Sequence, residues 1–324
     1  MRILIAGGTS FVGRAIAWSA LREGHDVTVI NRGVTPSDLP DNVRRLVGDR
    51  KGDFSALDGL SFDATIDTVA YLPRDVEVLA EAIGGRGGHH IQISSVSAYV
   101  EPPTPGATED TAMTIGDPDL DPNGPVTGET YGPLKAACER AATRLFGTQT
   151  TLVRPTFVIG SHDATLRFPY WVERARRGGE IAVPGPRSNV IQYIDARDLG
   201  DFVVRIADQS LRGPFHAAGP YPANHFVEMV EQIAKHLAPP HTTIREVSPE
   251  SVAEAHLDAK FPLWTGTQSE NMLDVDNSRA LANGLRLRPL EESIDDVVAW
   301  WADRAWPAHW LTSNQEAQLL RGAQ

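Results

Sequence analysis

The sequence predicts an α/β fold in which a doubly wound parallel sheet is followed by a smaller, mixed C-terminal domain. Two observations lead to this prediction. Short apolar strands alternate with amphipathic helices through the N-terminal half of the 324 residues, which is typical of a parallel sheet covered on both faces. Beyond residue 160 the pattern is irregular and richer in proline and glycine, so the chain is expected to leave the sheet there.

The first strand and the first helix are the clearest elements. Residues 3–6 are fully apolar, as expected for a strand buried on both faces. In the helix that begins near Phe11, Ala15 and Trp18 lie on the same face as Phe11. Gly24 follows in "REGH", where a glycine takes the left-handed position that ends a helix.

The remaining elements follow the same alternation. Further strands are predicted at "DVTVIN", "VRRLVGD", "FDATIDTVA", "HHIQISSVS" and "TTLVRPTFVIG", with helices at "DVEVLAEAI" and over residues 129–146. The segment "VIQYIDARDLGDFVVRIAD" is predicted to form a strand and a helix that return to the main sheet.

Composition limits the class of protein. Hydrophobic residues make up 41% and charged residues 22% of the chain, as in an ordinary soluble globular protein. The net charge of −12 argues against nucleic acid as the main partner. No apolar stretch reaches the roughly 18 residues of a membrane span, and no signal peptide is recognised at the N-terminus. With Cys138 as the single cysteine, a cytoplasmic protein is expected.

The turn "GGTSFVG" follows the first strand and opens the first helix, which is the context of a dinucleotide-binding turn. Gly7 allows the tight turn and Gly13 allows the helix to pack closely on the strand. Ser10 occupies the position nearest the pyrophosphate, where its backbone N–H is retained and its hydroxyl adds a donor. The other residues expected to bind the cofactor in this turn are Thr9, Phe11 and Val12. The sequence therefore predicts a dinucleotide-binding (Rossmann) domain.

The domain prediction follows from these elements. Residues 1–159 and about 189–212 are expected to form the dinucleotide-binding domain. Residues 160–188 and 213–305 are expected to form the substrate domain, and residues 306–324 a C-terminal tail. The tryptophan-rich segment "WWADRAWPAHW" could dock a terminal helix, line the substrate pocket or pack on a partner subunit, and docking is favoured.

The end of the second strand bears on the choice of cofactor. It reads Asn31-Arg32-Gly33, without the carboxylate that holds the ribose 2′-hydroxyl of NAD. The guanidinium of Arg32 suits a 2′-phosphate, so NADP(H) is favoured. In the alternative, Arg32 is a solvated loop residue and Asn31 contacts the ribose of NAD(H).

A tyrosine and a lysine four residues apart provide the chemical signal. In "YGPLK", Tyr131 and Lys135 share one helical face. An adjacent ammonium and the positive nicotinamide ring are expected to lower the pKa of the phenol towards neutrality. The phenol could then exchange a proton with a carbonyl or alcohol oxygen while hydride moves at the adjacent carbon. Ser95, at the end of the fifth strand, is expected to hydrogen-bond that oxygen, with Ser94 and Ser97 as alternatives.

Several motifs occur in the order typical of one family. These are "GGTSFVG", "GDR", "ISSVSAY", "YGPLK", "VRPTFVIG" and "IQYIDARDLGDF". The chain resembles the extended short-chain dehydrogenase/reductases, the NAD-dependent epimerase/dehydratase family, over about residues 1–300. The resemblance implies a Ser–Tyr–Lys triad that matches Ser95, Tyr131 and Lys135. It also implies possible homodimers formed through helices that flank the sheet.

The resemblance implies further contacts with the cofactor. Asp49 would touch the adenine amino group, with Arg50 beside it. The stretch from Thr68 to Tyr71, including Val69 and Ala70, would line the cofactor, and Pro155 would abut the nicotinamide.

Departures from the family pattern bear on the reaction and the substrate. Ser95-Val96-Ser97 stands where dehydratases resemble Thr-Asp-Glu, so dehydration is not expected. Phe157 stands where nucleotide-sugar enzymes often have an asparagine. Arg187 is a candidate substitute for a phosphate-binding arginine, and Trp264 is a candidate pocket wall.

Two functions remain open from the sequence. The first is an NAD(P)-dependent epimerase or carbonyl reductase acting at a secondary alcohol or ketone carbon, on a small carbonyl compound or a nucleotide sugar. The second is a non-catalytic dinucleotide-binding sensor or RNA-associated protein, because the opening motif also resembles that of chloroplast stem-loop-binding members of the family. The pairs His89-His90 and His162-Asp163 lack metal-ligand spacing, so no metal is expected.

Overall fold

The computed structural model describes residues 1–51, 53–99, 104–111, 120–266, 274–302 and 304–322. The strands are β1 (Arg2–Ala6), β2 (Asp26–Asn31), β3 (Arg44–Val47), β4 (Ala64–Asp67), β5 (His89–Ile93), β6 (Thr150–Pro155), β7 (Phe157–Ile159), β8 (Glu180–Pro184), β9 (Val190–Ile191), β10 (Tyr193–Asp195), β11 (Gly213–Ala217), β12 (Asn224–His225) and β13 (Thr243–Val247).

Ten α-helices are described between and after these strands. They are α1 (Phe11–Arg22), α2 (Pro73–Ile83), α3 (Gly128–Phe146), α4 (Arg167–Arg177), α5 (Ala196–Asp208), α6 (Phe226–Leu237), α7 (Pro249–Glu254), α8 (Ser278–Ala282), α9 (Leu290–Trp301) and α10 (Ser313–Gly322).

Seven parallel strands form the central sheet, in the order β11-β6-β5-β4-β1-β2-β3. The chain winds outwards from β1 in both directions, so the predicted doubly wound sheet is confirmed. Helices α1 and α5 pack together over one face, and α2 and α3 pack together over the other. Strand β1 lies inside the sheet, between β4 and β2, and its apolar residues Ile3, Leu4 and Ile5 are completely buried.

Two strands lie in different sheets from those that the sequence predicts for them. The apolar run "TTLVRPTFVIG" forms two strands, because β6 remains in the central sheet while β7 pairs with β10 outside it. The strand of "VIQYIDARDLGDF" therefore does not return to the main sheet, although helix α5 packs on α1. Conversely, β11, which the sequence places in the smaller domain, pairs with β6 as the seventh strand of the central sheet. Apolar periodicity identifies a strand but carries no information about its neighbour, which explains both errors.

The second hydrophobic core surrounds α4 and is rich in aromatic residues. Phe168, Tyr170 and Trp171 of α4 are fully buried, and they pack with α6, α9 and the β8–β13 pair. The C-terminal helix α10 docks here, because Arg174 of α4 forms a buried ion pair with Glu316 of α10 at 2.8 Å. The described tryptophans of the C-terminal segment pack around Tyr170 and Trp310.

Candidate active site

The glycine turn has the geometry that close packing on a phosphate requires. Gly7 has φ of +91°, a conformation that favours glycine. A Cβ atom on Gly13 would lie 2.1 Å from the carbonyl oxygen of Gly7, so no larger residue fits there without a backbone shift. The Ser10 side chain makes no capping hydrogen bond to the first turn of α1. The N–H groups at this helix terminus are therefore oriented to bind an anion.

A cleft of about 490 Å³ lies at the carboxyl ends of β1, β2 and β4. The residues predicted to bind a cofactor that line it are Gly7, Thr9, Ser10, Asn31, Arg32, Asp49, Arg50 and Val69. Tyr71, the end of the stretch expected to line the cofactor, also lines the cleft, as do Lys51 and Phe54, which the sequence did not indicate. Size, location and the glycine turn together fit a dinucleotide, which carries an anionic pyrophosphate between two flat rings.

Arg50 lines this cleft, and hydrogen bonds to two other residues hold its side chain in place. Its guanidinium donates to the buried carboxylate of Asp67 at 2.6 Å and to the Asp75 carbonyl oxygen at 2.5 Å. It also lies over the Phe54 ring. The preceding carboxylate, Asp49, accepts a hydrogen bond from the backbone of Lys51, which shapes the turn after β3.

The cations at the cleft mouth are arranged differently from Arg50. Arg32 and Lys51 line the cleft and are exposed, and no described residue forms an ion pair with either side chain. The Asn31 side chain accepts a hydrogen bond from the backbone of Gly33 at 2.7 Å and so closes the turn after β2. Two positive groups therefore flank the position at which dinucleotide enzymes bind the adenosine ribose.

Ser95 and Tyr131 meet at the carboxyl edge of the central sheet. Ser95 follows β5, and its hydroxyl accepts a hydrogen bond from the backbone of Ser97 at 3.1 Å. The Tyr131 side chain, in the first turns of α3, lies close enough to the Ser95 hydroxyl for that group to lower the pKa of the phenol. Gly132 permits this approach, because a Cβ atom there would lie 2.2 Å from the Ser97 carbonyl oxygen. Of the alternative serines, Ser94 has a buried hydroxyl without a hydrogen-bond partner.

Lys135 lies one helical turn beyond Tyr131 and is 3% exposed. Its ammonium donates hydrogen bonds to the carbonyl oxygens of Ile93 at 2.7 Å and Ala70 at 3.1 Å. It also lies 5.6 Å from the centroid of the Tyr71 ring. Burial lowers the pKa of Lys135, and the neighbouring acidic groups oppose that effect.

The electrostatics of Tyr131 differ from the prediction. Burial raises the pKa of the phenol above its ordinary value, opposed by the nearby Ser95 hydroxyl and by the positive charge of Arg167. The predicted lowering of this pKa by Lys135 is therefore wrong for the protein chain by itself, because the ammonium is directed to two backbone carbonyls. Arg167, at the start of α4, is the cation that acts on the phenol, and no sequence motif indicated it.

A buried polar network holds helix α3 against the sheet. Glu139, two turns beyond Tyr131, receives two hydrogen bonds from Arg154 of β6, at 2.9 and 2.6 Å. Arg154 also donates to the hydroxyl of Tyr99 at 2.8 Å, which in turn is hydrogen-bonded to His216 of β11. This network links the helix that carries the predicted catalytic residues to three strands or strand ends.

The candidate substrate residues have distinct positions. The Phe157 ring lies 5.3 Å from the guanidinium of Arg167, which stacks over it. Arg187 is ion-paired with Glu231, so its charge is already neutralised. Trp264 donates from its indole to the Gly185 carbonyl oxygen at 3.1 Å and packs against the second core. Pro155, predicted to abut the nicotinamide, ends β6, and the unpartnered, buried hydroxyl of Thr156 follows it.

Neither a metal centre nor a membrane span is found in the part of the chain that the structure describes. No group of three or more histidine, cysteine, aspartate or glutamate side chains there could hold a metal ion. Among the described helices, none is both long enough and apolar enough to cross a membrane.

The sheet topology and the glycine turn are those of a dinucleotide-binding (Rossmann) fold. The sequence model of the NAD dependent epimerase/dehydratase family matches residues 74–218. This match confirms the resemblance to the extended short-chain dehydrogenase/reductases that the motifs indicate.

Two curated proteins are similar to the chain. The chloroplast stem-loop binding protein of 41 kDa b from Arabidopsis thaliana is 25% identical over 236 residues, which cover 67% of this chain and 58% of that protein. The 2′-dehydrokanamycin reductase of Streptomyces kanamyceticus is 27% identical over 312 residues, which cover 93% of this chain and 84% of that enzyme.

Among solved structures, the Bordetella bronchiseptica enzyme WbmH in complex with NAD+ aligns with a TM-score of 0.68 and 16% identity. The alignment covers 94% of this chain and 98% of WbmH. At that identity the likeness shows the shared fold.

Proposed function

We propose that this protein is an NADP(H)-dependent reductase that transfers hydride at a ketone or secondary alcohol carbon. The observation that carries the proposal is the close packing of α3, at Gly132, on the segment that contains Ser95 and Ser97. This packing brings the Tyr131 phenol near Ser95, with Lys135 one turn further along α3. This group lies at the carboxyl edge of a parallel sheet whose first crossover carries a dinucleotide turn. Active sites of open α/β sheets form at that edge.

Each side chain has a defined role. The nicotinamide cofactor, when bound, supplies or accepts the hydride. In the reducing direction Tyr131 donates its hydroxyl proton to the carbonyl oxygen as that oxygen gains negative charge. The Ser95 hydroxyl donates a hydrogen bond to the same oxygen and orients it. Lys135 fixes α3 to the ends of β4 and β5, and its positive charge would help to hold the nicotinamide ribose of a bound cofactor. In the oxidising direction, the same groups remove the proton from an alcohol.

The raised pKa of Tyr131 is consistent with proton donation. A phenol that is neutral at pH 7 carries the proton that ketone reduction requires, and burial keeps Tyr131 in that form. The charge of Arg167 acts in the opposite direction and favours the phenolate left after the proton has been transferred. The site is therefore suited to donate a proton and then to stabilise the resulting anion.

The cofactor preference rests on the mouth of the cleft. Arg32 and Lys51 provide two exposed cations there, and the carboxylates of Asp49 and Asp75 are occupied by backbone N–H groups. A 2′-phosphate would gain charge-assisted hydrogen bonds from these cations. NADP(H) is therefore proposed as the cofactor, with NAD(H) as the alternative in which neither cation contributes.

Reduction is proposed over epimerisation and dehydration. The similarity to a 2′-dehydrokanamycin reductase over 93% of the chain supports reduction. Val96 and Ser97 offer no carboxylate beside Ser95 to assist the loss of water. An epimerase retains its cofactor through purification because it has no net redox change, whereas a reductase exchanges cofactor in every cycle. Absorbance of the purified protein at the nicotinamide and adenine bands distinguishes these two reactions.

The proposal is tested by Tyr131→Phe. This variant is expected to lower kcat for ketone reduction by about 10²- to 10⁴-fold, with an unchanged dissociation constant for NADPH. Tyr221→Phe, at an exposed tyrosine, is the matched control and is expected to keep full activity. Cofactor oxidation is followed with a panel of ketones, and UDP-galactose is included to detect epimerase activity. Full turnover in Tyr131→Phe contradicts the mechanism.

A second candidate function rests on the similarity to the chloroplast stem-loop binding protein. In this alternative the chain binds the dinucleotide as a sensor and associates with RNA, without catalysis. The net charge of −12 opposes it, because a phosphate backbone is repelled by an acidic surface. Titration with a labelled RNA stem-loop at physiological salt tests this function. Saturable binding that weakens with salt, together with inactivity towards every ketone, would favour it.

A further inference from the structure

Arg167 lies at the edge of the candidate active site, on an element that no motif connected with it. It is the first residue of α4, and its backbone N–H donates to the buried carboxylate of Asp163. Its Nε donates to the Thr165 hydroxyl at 3.0 Å. The guanidinium carbon lies over the Phe157 ring, 5.3 Å from the ring centroid. Its orientation is therefore set by the loop before α4 and by an aromatic surface.

The charge of Arg167 is not neutralised by any described residue. Its two terminal nitrogens make no hydrogen bond, and no carboxylate of the described residues lies within 4.0 Å of them. Arg187 and Arg197, in contrast, are paired with Glu231 and Asp195. Four of the five guanidinium N–H donors of Arg167 therefore remain available, in a planar group that suits an oxyanion.

Two observations connect Arg167 with the candidate active site. Its charge lowers the pKa of Tyr131, which places Arg167 within electrostatic reach of the phenol. Phe157, whose ring lies beside the Arg167 guanidinium, is two residues beyond Pro155, the predicted neighbour of the nicotinamide. Phe157 is also the position at which the sequence departs from the nucleotide-sugar pattern.

We infer that Arg167 binds an anionic group of the substrate, a carboxylate or a phosphate, close to the carbonyl carbon that receives hydride. This inference rests on the proposed function and narrows its substrate class to anionic ketones. The anion forms paired charge-assisted hydrogen bonds with the terminal nitrogens of Arg167, and the apolar surface of Phe157 lies beside the rest of the substrate.

Two matched probe pairs test the inference by activity with NADPH. The first is benzoylformate and its uncharged ethyl ester, and the second is dihydroxyacetone phosphate and dihydroxyacetone. The wild-type protein is expected to prefer the charged member of at least one pair. Arg167→Gln is expected to lower kcat/KM for that charged probe by about 10- to 100-fold more than for its uncharged partner, with the difference mainly in KM. Arg167→Lys keeps the charge and is expected to recover part of the loss.

The control is Arg140→Gln, which removes the same charge from an exposed position of α3 and is expected to leave both members of each pair unchanged. A preference for the uncharged probes, or an equal loss for charged and uncharged probes in Arg167→Gln, would overturn the inference.

A binding measurement separates this inference from the proposed function. Calorimetric titration of the protein saturated with NADP+ uses benzoylformate, dihydroxyacetone phosphate and UDP as probes, and these distinguish a carboxylate, a phosphate monoester and a nucleoside diphosphate. At least one of these probes is expected to bind the wild-type protein, and its affinity for Arg167→Gln is expected to be at least about tenfold lower. Absence of binding by all three overturns the inference. Activity that survives Tyr131→Phe would instead remove the proposed function, while the binding data would still decide the role of Arg167.

Discussion

The ammonium of Lys135 donates a hydrogen bond to the carbonyl oxygen of Ile93 at 2.7 Å. Ile93 ends β5 and Ser95 lies two residues further along, so this contact fixes the distance between the catalytic helix and the serine segment. The second hydrogen bond, to Ala70, ties the same ammonium to the segment after β4, where the cleft begins. Lys135 thereby connects the proton-transfer residues with the cofactor-binding edge of the sheet.

Replacing Gly13 tests the dinucleotide turn. In Gly13→Ala the new Cβ atom would lie 2.1 Å from the carbonyl oxygen of Gly7, so the backbone of the turn must move. The expected results are a loss of about 1–3 kcal/mol in the free energy of unfolding and at least about tenfold weaker NADPH binding. Urea unfolding and cofactor titration measure these effects. Gly322→Ala, whose added methyl group meets no atom within 4 Å, is the control, and equal behaviour of the two variants would contradict the assignment.

Removal of the cations at the cleft mouth tests the cofactor preference. Arg32→Ala and Lys51→Ala are each expected to raise the dissociation constant for NADPH by about tenfold, because each removes a charged donor to the 2′-phosphate. The dissociation constant for NADH is expected to stay the same, since NADH lacks that phosphate. Fluorescence titration with both cofactors measures the difference. Arg44→Ala, at an exposed arginine of β3, serves as the control, and unchanged NADPH binding in both cleft variants would point to NAD(H).

Removing one partner of the ion pair between Arg154 and Glu139 is expected to destabilise the fold strongly. Both side chains are about 95% buried, so Arg154→Met leaves an unpaired carboxylate in the protein interior. The expected cost is about 3–5 kcal/mol of unfolding free energy. Arg144→Met, which breaks the exposed pair with Glu77, is expected to cost less than about 1 kcal/mol.

A double variant completes this test. Arg154→Met combined with Glu139→Leu removes both charges and is expected to be less destabilised than the sum of the single variants. Urea denaturation of the four proteins gives the coupling free energy. A coupling near zero would mean that the two groups do not depend on each other.

The buried histidines of β5 predict how stability changes with pH. Burial lowers the pKa of His90 to about 4 and that of His89 to about 3, from an ordinary value of 6.5. Between about pH 6.5 and 4 the unfolded chain therefore binds more protons than the folded chain. The free energy of unfolding is expected to fall as the pH decreases through this interval.

His90→Gln isolates one part of this dependence. His90 is fully buried and stacks on the Phe146 ring at 3.8 Å between centroids. When the pH is lowered from about 7 to 4.5, the free energy of unfolding of this variant is expected to fall by about 2 kcal/mol less than that of the wild type. Urea unfolding at the two pH values provides the measurement, with the exposed His309→Gln as control. Identical pH dependence in His90→Gln and the wild type would show that His90 is already charged or exposed.

The elements of the first domain could be predicted because their sequence signals are local. The apolar run of β1 and the glycines at positions 7 and 13 define a strand, a turn and a helix within a few residues. The pairing of β7 with β10 and of β11 with β6 could not be predicted in this way. A strand carries its own apolar pattern, but its partner is chosen by packing among segments far apart in the sequence.

The residues of the candidate site likewise fall into those that the local sequence indicated and those that it did not. Tyr131, Lys135 and Ser95 were found from spacing and from position at the end of a strand. The sequence around each residue gave no sign of three other features. These are the ion pair of Glu139 with Arg154, the exposure of Lys51 at the cleft mouth and the approach of Arg167 to Tyr131. Even the direction of the Tyr131 pKa shift was mispredicted, because burial raises this pKa and the Lys135 ammonium is directed to two backbone carbonyls.

By itself, the sequence determined the class of fold and the glycine turn, and it supplied the candidate proton-transfer residues, because each of these depends on side chains within one turn or one helix. Only the tertiary structure decided which strands share a sheet, which charges remain unpaired and which groups act on the phenol. Those properties depend on desolvation and on distances between groups from separate segments, and these are set only when the two cores pack together.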